Sequence, residues 1–578
     1  MTIFRALACD YDGTLAAEDR MGEDTLSALG KAREAGLRLF LVTGRTFFEL
    51  TRVCERLDLF DGVVAENGAV LYSPEDATIC PLAPPLPAQL LAKLDRRGIG
   101  YQRGRVIIWT ARSDEAAVRA ALAEAGVNLE LVYNRAALML LPAGISKGTG
   151  VQHLVRAFGL SFHDVLALGD SENDGALFEA CGWAGCPANA VPEVMQRADW
   201  IFPGDDGAGN ARAIVGPILN GLLPLHGSPR QRIDLGWASK TAELASIPAR
   251  GINLLVQGDP VSGKSWLAGS VVEQLHEHRY AVCVIDPEGD YRGLARLAGV
   301  ILTEARDEAA VDAACHHFER DPAACVVVDL SALHHHDKLR MIERSLRAAH
   351  EMRRRTGRPH WVVLDEAHYS LHREGIAVGA LELEDKGFCL VTYKPSWVRP
   401  SVMDAVDVLA LARTTAGHEL AFLDSFLAGH GDGVMSTLAD LPRGEFLLMR
   451  KENGGAWAAL TFTATPRATP HLRHLKKYAD TTVRPEHAFL FRAPDGHLVA
   501  TADSLKAFRR VVATADDAVL AAHAGRGDFS RWIRDVFSDR ELAAHLRKVE
   551  RRWVRGEIID LRGAIDALIA VRYWSEES

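Results

Sequence analysis

The sequence predicts an α/β protein built from more than one parallel-sheet unit. Short β-branched runs alternate with Ala-, Leu- and Glu-rich helical stretches along most of the chain, the pattern of parallel α/β domains. The runs fall into two series, separated by the Gly-, Pro- and charge-rich stretch GLLPLHGSPRQRIDLG at 221–236. Acids and hydroxyls recur where the apolar runs end, which is where open α/β sheets bind ligands.

Composition sets outer limits. The chain has 578 residues, 48% hydrophobic and 25% charged, ordinary values for a globular protein. A net charge of -10 argues against a chain dominated by nucleic-acid binding, and leaves a local basic groove open. No apolar run reaches the ~18 residues needed to span a bilayer, so no membrane association is expected. The start, MTIFRALACDYDGTL, lacks the order of charge, apolar core and cleavage site of a leader. Nine scattered cysteines point to a reducing, cytoplasmic compartment.

In the first series, strands are expected at 3–8, 37–42, 62–65 and 165–168. The first runs into Asp10-Tyr11-Asp12-Gly13-Thr14. Side chains two apart on a strand share a face, so Asp10 and Asp12 act together, and Gly13 permits a sharp turn behind them. The second strand ends in Thr43-Gly44-Arg45. Lys147 stands ahead of a helix, and Gly169-Asp170-Ser171-Glu172-Asn173-Asp174 follows the strand 165–168. Phosphoryl transfer needs a nucleophile, a cation for the phosphate oxygens and a proton for the leaving group. An Asp carboxylate forms a phospho-enzyme that water then breaks. Asp10 and Asp170 suit Mg²⁺, which prefers hard oxygen ligands. Asp12 suits proton transfer, with neighbouring carboxylates favouring its protonated form. Thr43 and Lys147 suit the phosphate oxygens.

In this order, DxDGTL, TGR, a lone lysine and GDxxND resemble the haloacid dehalogenase (HAD) superfamily over residues 1–222. The resemblance implies a Rossmann-like core with a small α+β cap at about 82–144. It implies Asp10 as nucleophile and Asp12 as acid/base. Mg²⁺ would be held by Asp10, Asp170 and the Asp12 carbonyl oxygen, and Asn173 and Asp174 would orient the site. Ala65-Glu66-Asn67-Gly68-Ala69 and Cys186-Pro187-Ala188-Asn189-Ala190 look like the Cof-type branch. Its small-cap members include archaeal phosphoglycolate phosphatases and sucrose-phosphate phosphatases, so a small phosphorylated substrate is expected. Arg103, Arg105 and Trp109 of the cap read as exposed strand residues before they read as substrate contacts.

After a linker at 223–235, the second series places strands at 252–257, 281–285, 325–330, 361–364, 387–392 and 408–411. The first of these runs into Gly258-Asp259-Pro260-Val261-Ser262-Gly263-Lys264-Ser265 and then a helix, the GxxxxGK[ST] phosphate loop in its strand–loop–helix setting. Backbone N–H groups would wrap the phosphates of ATP at the helix N-terminus, with Lys264 on the β- and γ-phosphates and Ser265 on Mg²⁺. The strand 361–364 ends in Asp365-Glu366. Asp365 suits the Mg²⁺ water shell and Glu366 the attacking water. Thr392 ends the next strand, where a γ-phosphate sensor and a plain turn residue are equally good readings. The order of these segments, with DPEGDY, VTYKPS and LPRGEFLL, resembles the HerA/FtsK class over 236–479. That resemblance implies a RecA-like ATPase, a homo-hexameric ring, DNA as partner and an arginine finger, for which Arg399, Arg413 and Arg443 are candidates. The basic stretch 470–477 reads first as a solvated face.

Residues 485–578 read as a short β pair followed by amphipathic helices, a small and mostly helical domain with Trp532 in its core. Two functions stand side by side. One is phosphate-ester hydrolysis joined in one chain to an ATP-hydrolysing module. The other is a DNA-processing ATPase whose phosphatase acts on nucleotides or DNA-end phosphates.

Overall fold

The computed structural model describes residues 4–205, 207–223, 231–239, 241, 243–372, 381–427, 434–451, 457–469, 483, 488–537 and 540–573. The chain divides into two compact units, Met1–Pro287 with Leu294–Pro470, and Glu288–Gly293 with His471–Ser578. The two expected α/β modules therefore share the first unit, with no boundary between compact units at 223–235. Among the described residues no helix is long and apolar enough to cross a membrane.

The first sheet of unit one uses β1 Ala6–Asp10, β2 Arg38–Val42, β3 Gly62–Ala65, β4 Val70–Ser73 and β5 Thr78–Pro81. The chain then enters a separate antiparallel sheet of β6 Tyr101–Arg103, β7 Ile108–Ala111, β8 Leu129–Asn134 and β9 Ala137–Pro142, and returns with β10 Val165–Leu168, β11 Trp183–Pro187 and β12 Trp200–Phe202. The strand order is β12-β11-β10-β1-β2-β3-β4-β5, with β1 lying parallel between β10 and β2. Every residue of β1 is buried, because both faces of a parallel sheet are covered. Leu7 and Cys9 pack with Leu39 and Leu41 on one face, while Ala6 and Ala8 pack with Phe40 and Val42 on the other.

The four-stranded sheet β6-β7-β9-β8 and the helices Ala88–Arg96 and Glu115–Ala125 form an α+β insertion between β5 and β10, at the place where a cap was expected. Leu90 and Leu94 share a helix face one turn apart and pack with Val118, Ile108 and Leu140. Main chain fastens the cap loop to the core. The buried Glu66 carboxylate accepts the N–H groups of Arg105, Val106 and Ile107 at 2.8, 2.8 and 3.2 Å.

The second sheet has eleven strands: β13 Arg232–Ala238, β14 Leu244–Pro248, β15 Asn253–Gln257, β16 Val282–Asp286, β17 Val300–Glu304, β18 Cys325–Asp329, β19 Trp361–Leu364, β20 Phe388–Thr392, β21 Val408–Leu411, β22 Glu445–Lys451 and β23 Trp457–Ala464. Their order is β14-β13-β23-β22-β21-β15-β20-β19-β16-β18-β17, parallel from β21 to β17 and antiparallel beyond β21.

The expected linker needs correction. Residues 224–230 lie outside the described residues, but 232–235 begin β13. Ile233 and Leu235 alternate into the core, and Gly236 sits so close to β23 that a Cβ there would meet the Thr463 carbonyl oxygen at 1.9 Å. A glycine that reads as a turn signal is here a close strand contact. The basic stretch 470–477 also lies outside the described residues.

In unit two, the hairpin β24 Phe489–Arg492 and β25 Leu498–Ala502 precedes the helices Leu505–Thr514, Asp517–Arg526, Asp528–Val536, Arg540–Val554 and Leu561–Tyr573. Trp532 belongs to the core, stacked 5.0 Å from Phe508.

Gly68 has φ 107°, and a Cβ there would stand 1.8 Å from the Ser146 carbonyl oxygen. Gly68→Ala is expected to destabilise the chain by roughly 2–4 kcal/mol, seen as a lower thermal unfolding midpoint. Gly30→Ala lies in the helix Glu23–Glu34 with nothing within 4 Å of its Cβ, and is expected to be neutral or to stabilise by up to ~1 kcal/mol. Equal midpoints for the two variants would contradict this reading of the Gly68 contact.

Candidate active site

Strand order brings the acids together. β1 and β10 are neighbours in the middle of the first sheet, so Asp10 and Asp170 emerge side by side at their carboxyl ends. Asp10, Asp170 and Asp174 are buried, with carboxylate oxygens all within 4.8 Å of one another. Gly13 is required here: its φ is 73°, and a Cβ would lie 2.4 Å from Asp170 Oδ2.

Lys147 pairs with two acids of this cluster. Its Nζ donates to Asp10 Oδ1 at 2.6 Å and to Asp174 Oδ1 at 2.7 Å, and its side chain is 1% exposed. It opens the helix Lys147–Ala157, which Ser146 and Thr149 cap reciprocally. A cation at a helix N-terminus opposes the helix dipole by about 0.3–1 kcal/mol. Buried ion pairs of this kind outweigh that, since breaking one costs about 3–5 kcal/mol. Burial and Asp174 push Asp10 well above the ordinary carboxylate range, with Lys147 opposing. Burial, then Asp174, also raises Asp170, against Arg135 and Lys147. For Lys147, burial alone would lower the pKa, but Asp10 and Asp174 outweigh it and hold the ammonium above its usual range. Three hard-oxygen acids gathered at one point could hold a divalent cation.

The other expected residues take distinct places. Asp174 Oδ2 accepts the N–H groups of Asp170 and Ser171, both at 2.9 Å, and shapes the acidic turn. Asn173 Nδ2 donates to Asn67 Oδ1 at 3.0 Å. Thr43 is buried, and its Oγ1 accepts the Arg45 N–H at 3.1 Å. Asp12 meets Arg45 rather than the carboxylate cluster, taking Nε and Nη2 at 2.7 and 2.6 Å.

Sequence reasoning gave no role to Arg45, Arg135, Asp19 or Glu66. Arg45 stands inside a quoted motif, but its pairing with Asp12 and Asp19 depends on the fold. Arg135 occupies the β8–β9 turn of the cap with φ 51°, and its Nη2 donates to Asp170 Oδ2 at 2.6 Å. Glu172 accepts the Arg135 N–H at 3.2 Å. A non-glycine residue in left-handed backbone at a cap tip leaves no sequence signal. Arg103 and Arg105 are exposed and Trp109 is half-buried.

A second constellation lies at the carboxyl ends of β15, β19 and β20. Residues 258–263 link β15 to the helix Lys264–Glu277, with Gly263 at φ 109° and Val261 at φ 68°. Lys264 Nζ donates to the Asp259 carbonyl at 2.8 Å. Asp259 N–H donates to the Arg413 carbonyl at 2.8 Å, and Asp259 Oδ2 accepts Thr415 Oγ1 at 2.7 Å, so the loop leans on the segment after β21. Pro260 is exposed, while Ser262 Oγ is buried and has no hydrogen-bond partner among the described residues. Asp365 and Glu366 are buried at the end of β19, Glu366 with φ 48°. His368 joins the pair: its Nδ1 lies 3.1 Å from Thr392 Oγ1 and 3.4 Å from Glu366 Oε2. Burial, helped by Lys394 and Lys264, pushes its imidazole down to about 3, so it acts as a neutral group. Sequence reasoning assigned Thr392 but not His368. Of the arginine-finger candidates, Arg413 and Arg443 are exposed and Arg399 is half-buried.

Lys147→Ala is expected to cost roughly 3–5 kcal/mol of stability at about pH 8. The raised Asp10 contributes stability below its unfolded pKa and loses it as pH rises through the folded value, more so without the ammonium. The deficit against wild type is therefore expected to shrink towards about pH 5, read from denaturation midpoints at the two pH values. A deficit that grows on acidification would contradict this account.

Comparison with known proteins bears on this first region. The sequence profile of the haloacid dehalogenase-like hydrolases matches residues 7–102 and 104–214. A phosphoglycolate phosphatase of Methanothermobacter thermautotrophicus is 32% identical over 220 residues, 36% of this chain and 97% of the relative. Similar relatives of the same name occur in Methanococcoides burtonii, 28% identical over 38% of this chain and 100% of the relative, and in Methanoculleus marisnigri, 27% identical over 37% and 96%. Through residues 7–102 and 104–214, the chain belongs to the haloacid dehalogenase-like hydrolases.

Proposed function

We propose that the first module hydrolyses phosphate esters of small acidic metabolites through an aspartyl-phosphate on Asp10, with Mg²⁺. The observation that carries this is the buried Asp10 held by Lys147 beside Asp170 and Asp174. Asp10 attacks phosphorus in line, the ester bond breaks, and Asp12, having left the Arg45 guanidinium and taken up a proton, gives that proton to the leaving oxygen. Asp12 then takes a proton from water, which attacks the phospho-enzyme and releases phosphate with Asp10 restored. Thr43 and Lys147 hold the non-bridging oxygens. Bound between Asp10 and Asp170, Mg²⁺ would supply the positive charge that lets an anionic phosphate approach a carboxylate. Arg135, largely exposed at the cap turn, adds a cation beside the site, which suits a substrate with a second negative group. The relatives named phosphoglycolate phosphatases act in the same sense.

Phosphate release by the full chain with Mg²⁺ tests this across phosphoglycolate, neutral sugar phosphates, nucleotides and DNA-end phosphates. Phosphoglycolate-like esters are expected to lead. Turnover of nucleotides or DNA ends alone would favour the alternative, a DNA-processing ATPase with an accessory phosphatase. Asp10→Asn is expected to lower kcat by a factor on the order of 10⁴ or more. Arg135→Ala is expected to raise KM for the acidic ester by roughly tenfold while changing kcat little, the pattern of lost ground-state binding.

A second reading is that the 258–265 loop binds and hydrolyses ATP. Lys264, Glu366, His368 and Thr392 support it by meeting at one sheet edge, with Ser265 and Asp365 as candidate Mg²⁺ ligands. A HerA/FtsK-like hexamer on DNA is the companion proposal. Lys264→Ala is expected to abolish ATP hydrolysis. Light scattering of the full chain and ATPase rates with and without duplex DNA test the ring and its partner, and a monomer indifferent to DNA would sink both.

A further inference from the structure

The two α/β modules meet at the amino ends of their central strands. Asp164 immediately precedes β10, whose far end carries Asp170, six residues on and about 20 Å along the strand. His360 immediately precedes β19, whose far end carries Asp365 and Glu366. His360 Nε2 and Asp164 Oδ1 lie 3.1 Å apart, both side chains fully or almost fully buried. The tautomer is fixed, because His360 Nδ1 accepts the Ala281 N–H at 2.8 Å, leaving Nε2 to donate to Asp164. Burial moves His360 towards its neutral form. Burial would raise Asp164, but His360, Arg250 and Arg358 outweigh it and hold the carboxyl below its usual range.

Other bonds fall on the same turn. Arg250, three residues before β15 opens, donates to Asp164 Oδ1 at 3.0 Å. His163 Nε2 donates to the carbonyl of His278, which caps the helix that begins at Lys264, at 2.8 Å. The His163 ring stacks on Tyr280 with centroids 3.6 Å apart. Arg358 Nη1 donates to the Gly159 carbonyl at 3.0 Å. The turn before β10 is thus gripped by the strand that leads into the 258–265 loop, by the helix that leaves it, and by the strand that leads to Asp365.

We propose that Asp164 is a positioning residue for Asp170, set from the second module through His360, so that ligands at the two sites change each other's affinity. This rests on the reading that the 258–265 loop binds ATP. Helices and strands anchored at one end transmit small shifts as rigid elements, and a coupling between two ligands is reciprocal.

The test titrates a fluorescent non-hydrolysable ATP analogue into the full chain, with Mg²⁺ throughout, and with or without orthovanadate to load the Asp10 site. The expected result is a change of about fivefold or more in nucleotide Kd on loading, within the usual range for coupled sites. His360→Asn keeps an acceptor for Ala281 but cannot reach Asp164, and is expected to reduce the change to less than about twofold. His360→Gln keeps a donor for Asp164 and is expected to restore it. Asp164→Ala, which removes the acceptor, is a second variant with the same expected loss. A wild-type Kd indifferent to loading overturns the proposal while leaving ATP binding intact. A change that survives Asp10→Ala places vanadate elsewhere and also overturns it. Failure of the analogue to bind at all removes the ATP reading and the proposal with it.

Discussion

The ammonium of Lys147, closed off from water between Asp10 and Asp174, is the contact on which the first module is organised. It ties together the end of β1, the start of the helix Lys147–Ala157 and the acidic turn after β10. Three like charges could not be buried at that point without it. The backbone has to come very close for the bonds to form. A Cβ on Gly148 would lie 2.2 Å from the Ala176 carbonyl oxygen, and one on Gly169 would lie 2.5 Å from Asp174 Cγ. These glycines serve approach, letting the chain draw tightly around one cation.

The second constellation solves a related problem differently. Its lysine bonds to a main-chain carbonyl of its own loop, and its acids follow β19, separated from β15 by β20, beside a neutral histidine. Charge is therefore spread over several strand ends instead of being gathered around one buried ammonium. Both arrangements use the carboxyl edge of a parallel sheet, where side chains from adjacent strands converge. The opposite edges of the two sheets are joined through Asp164, so each module presents its chemistry away from the shared seam.

Much of this was legible in the sequence. β3, β10, β19 and β21 begin and end at the expected residues; Asp61 and Glu66 bound β3, and Asp164 and Gly169 bound β10. β1 was expected at 3–8 and runs Ala6–Asp10: Asp10 pairs with Val42 as a strand residue, although its side chain breaks the apolar run. β13 was read as linker because Pro, Gly and charge dominate its surroundings, while its alternating Ile233 and Leu235 were too short a signal. Motif residues within one loop or strand end were readable, since their spacing is local. The partners that cross the fold were not. Arg135 reaches Asp170 from a cap hairpin, and Asp164 meets His360 across 196 positions of sequence, distances at which no periodicity carries information. Trp532 was expected in a helical core and packs there against Phe508.

Glu66 holds the cap loop through peptide N–H groups, never through side chains of that loop. Peptide groups are the same whatever residue carries them. The three contacts therefore ask nothing of the side chain at position 105, which is exposed. Val106 and Ile107 are held twice, by their peptide N–H groups and by burial against Val70, Met139 and Leu141. Within three consecutive residues the fold thus separates one position free to vary at the surface from two whose loss would open a cavity where cap and sheet meet.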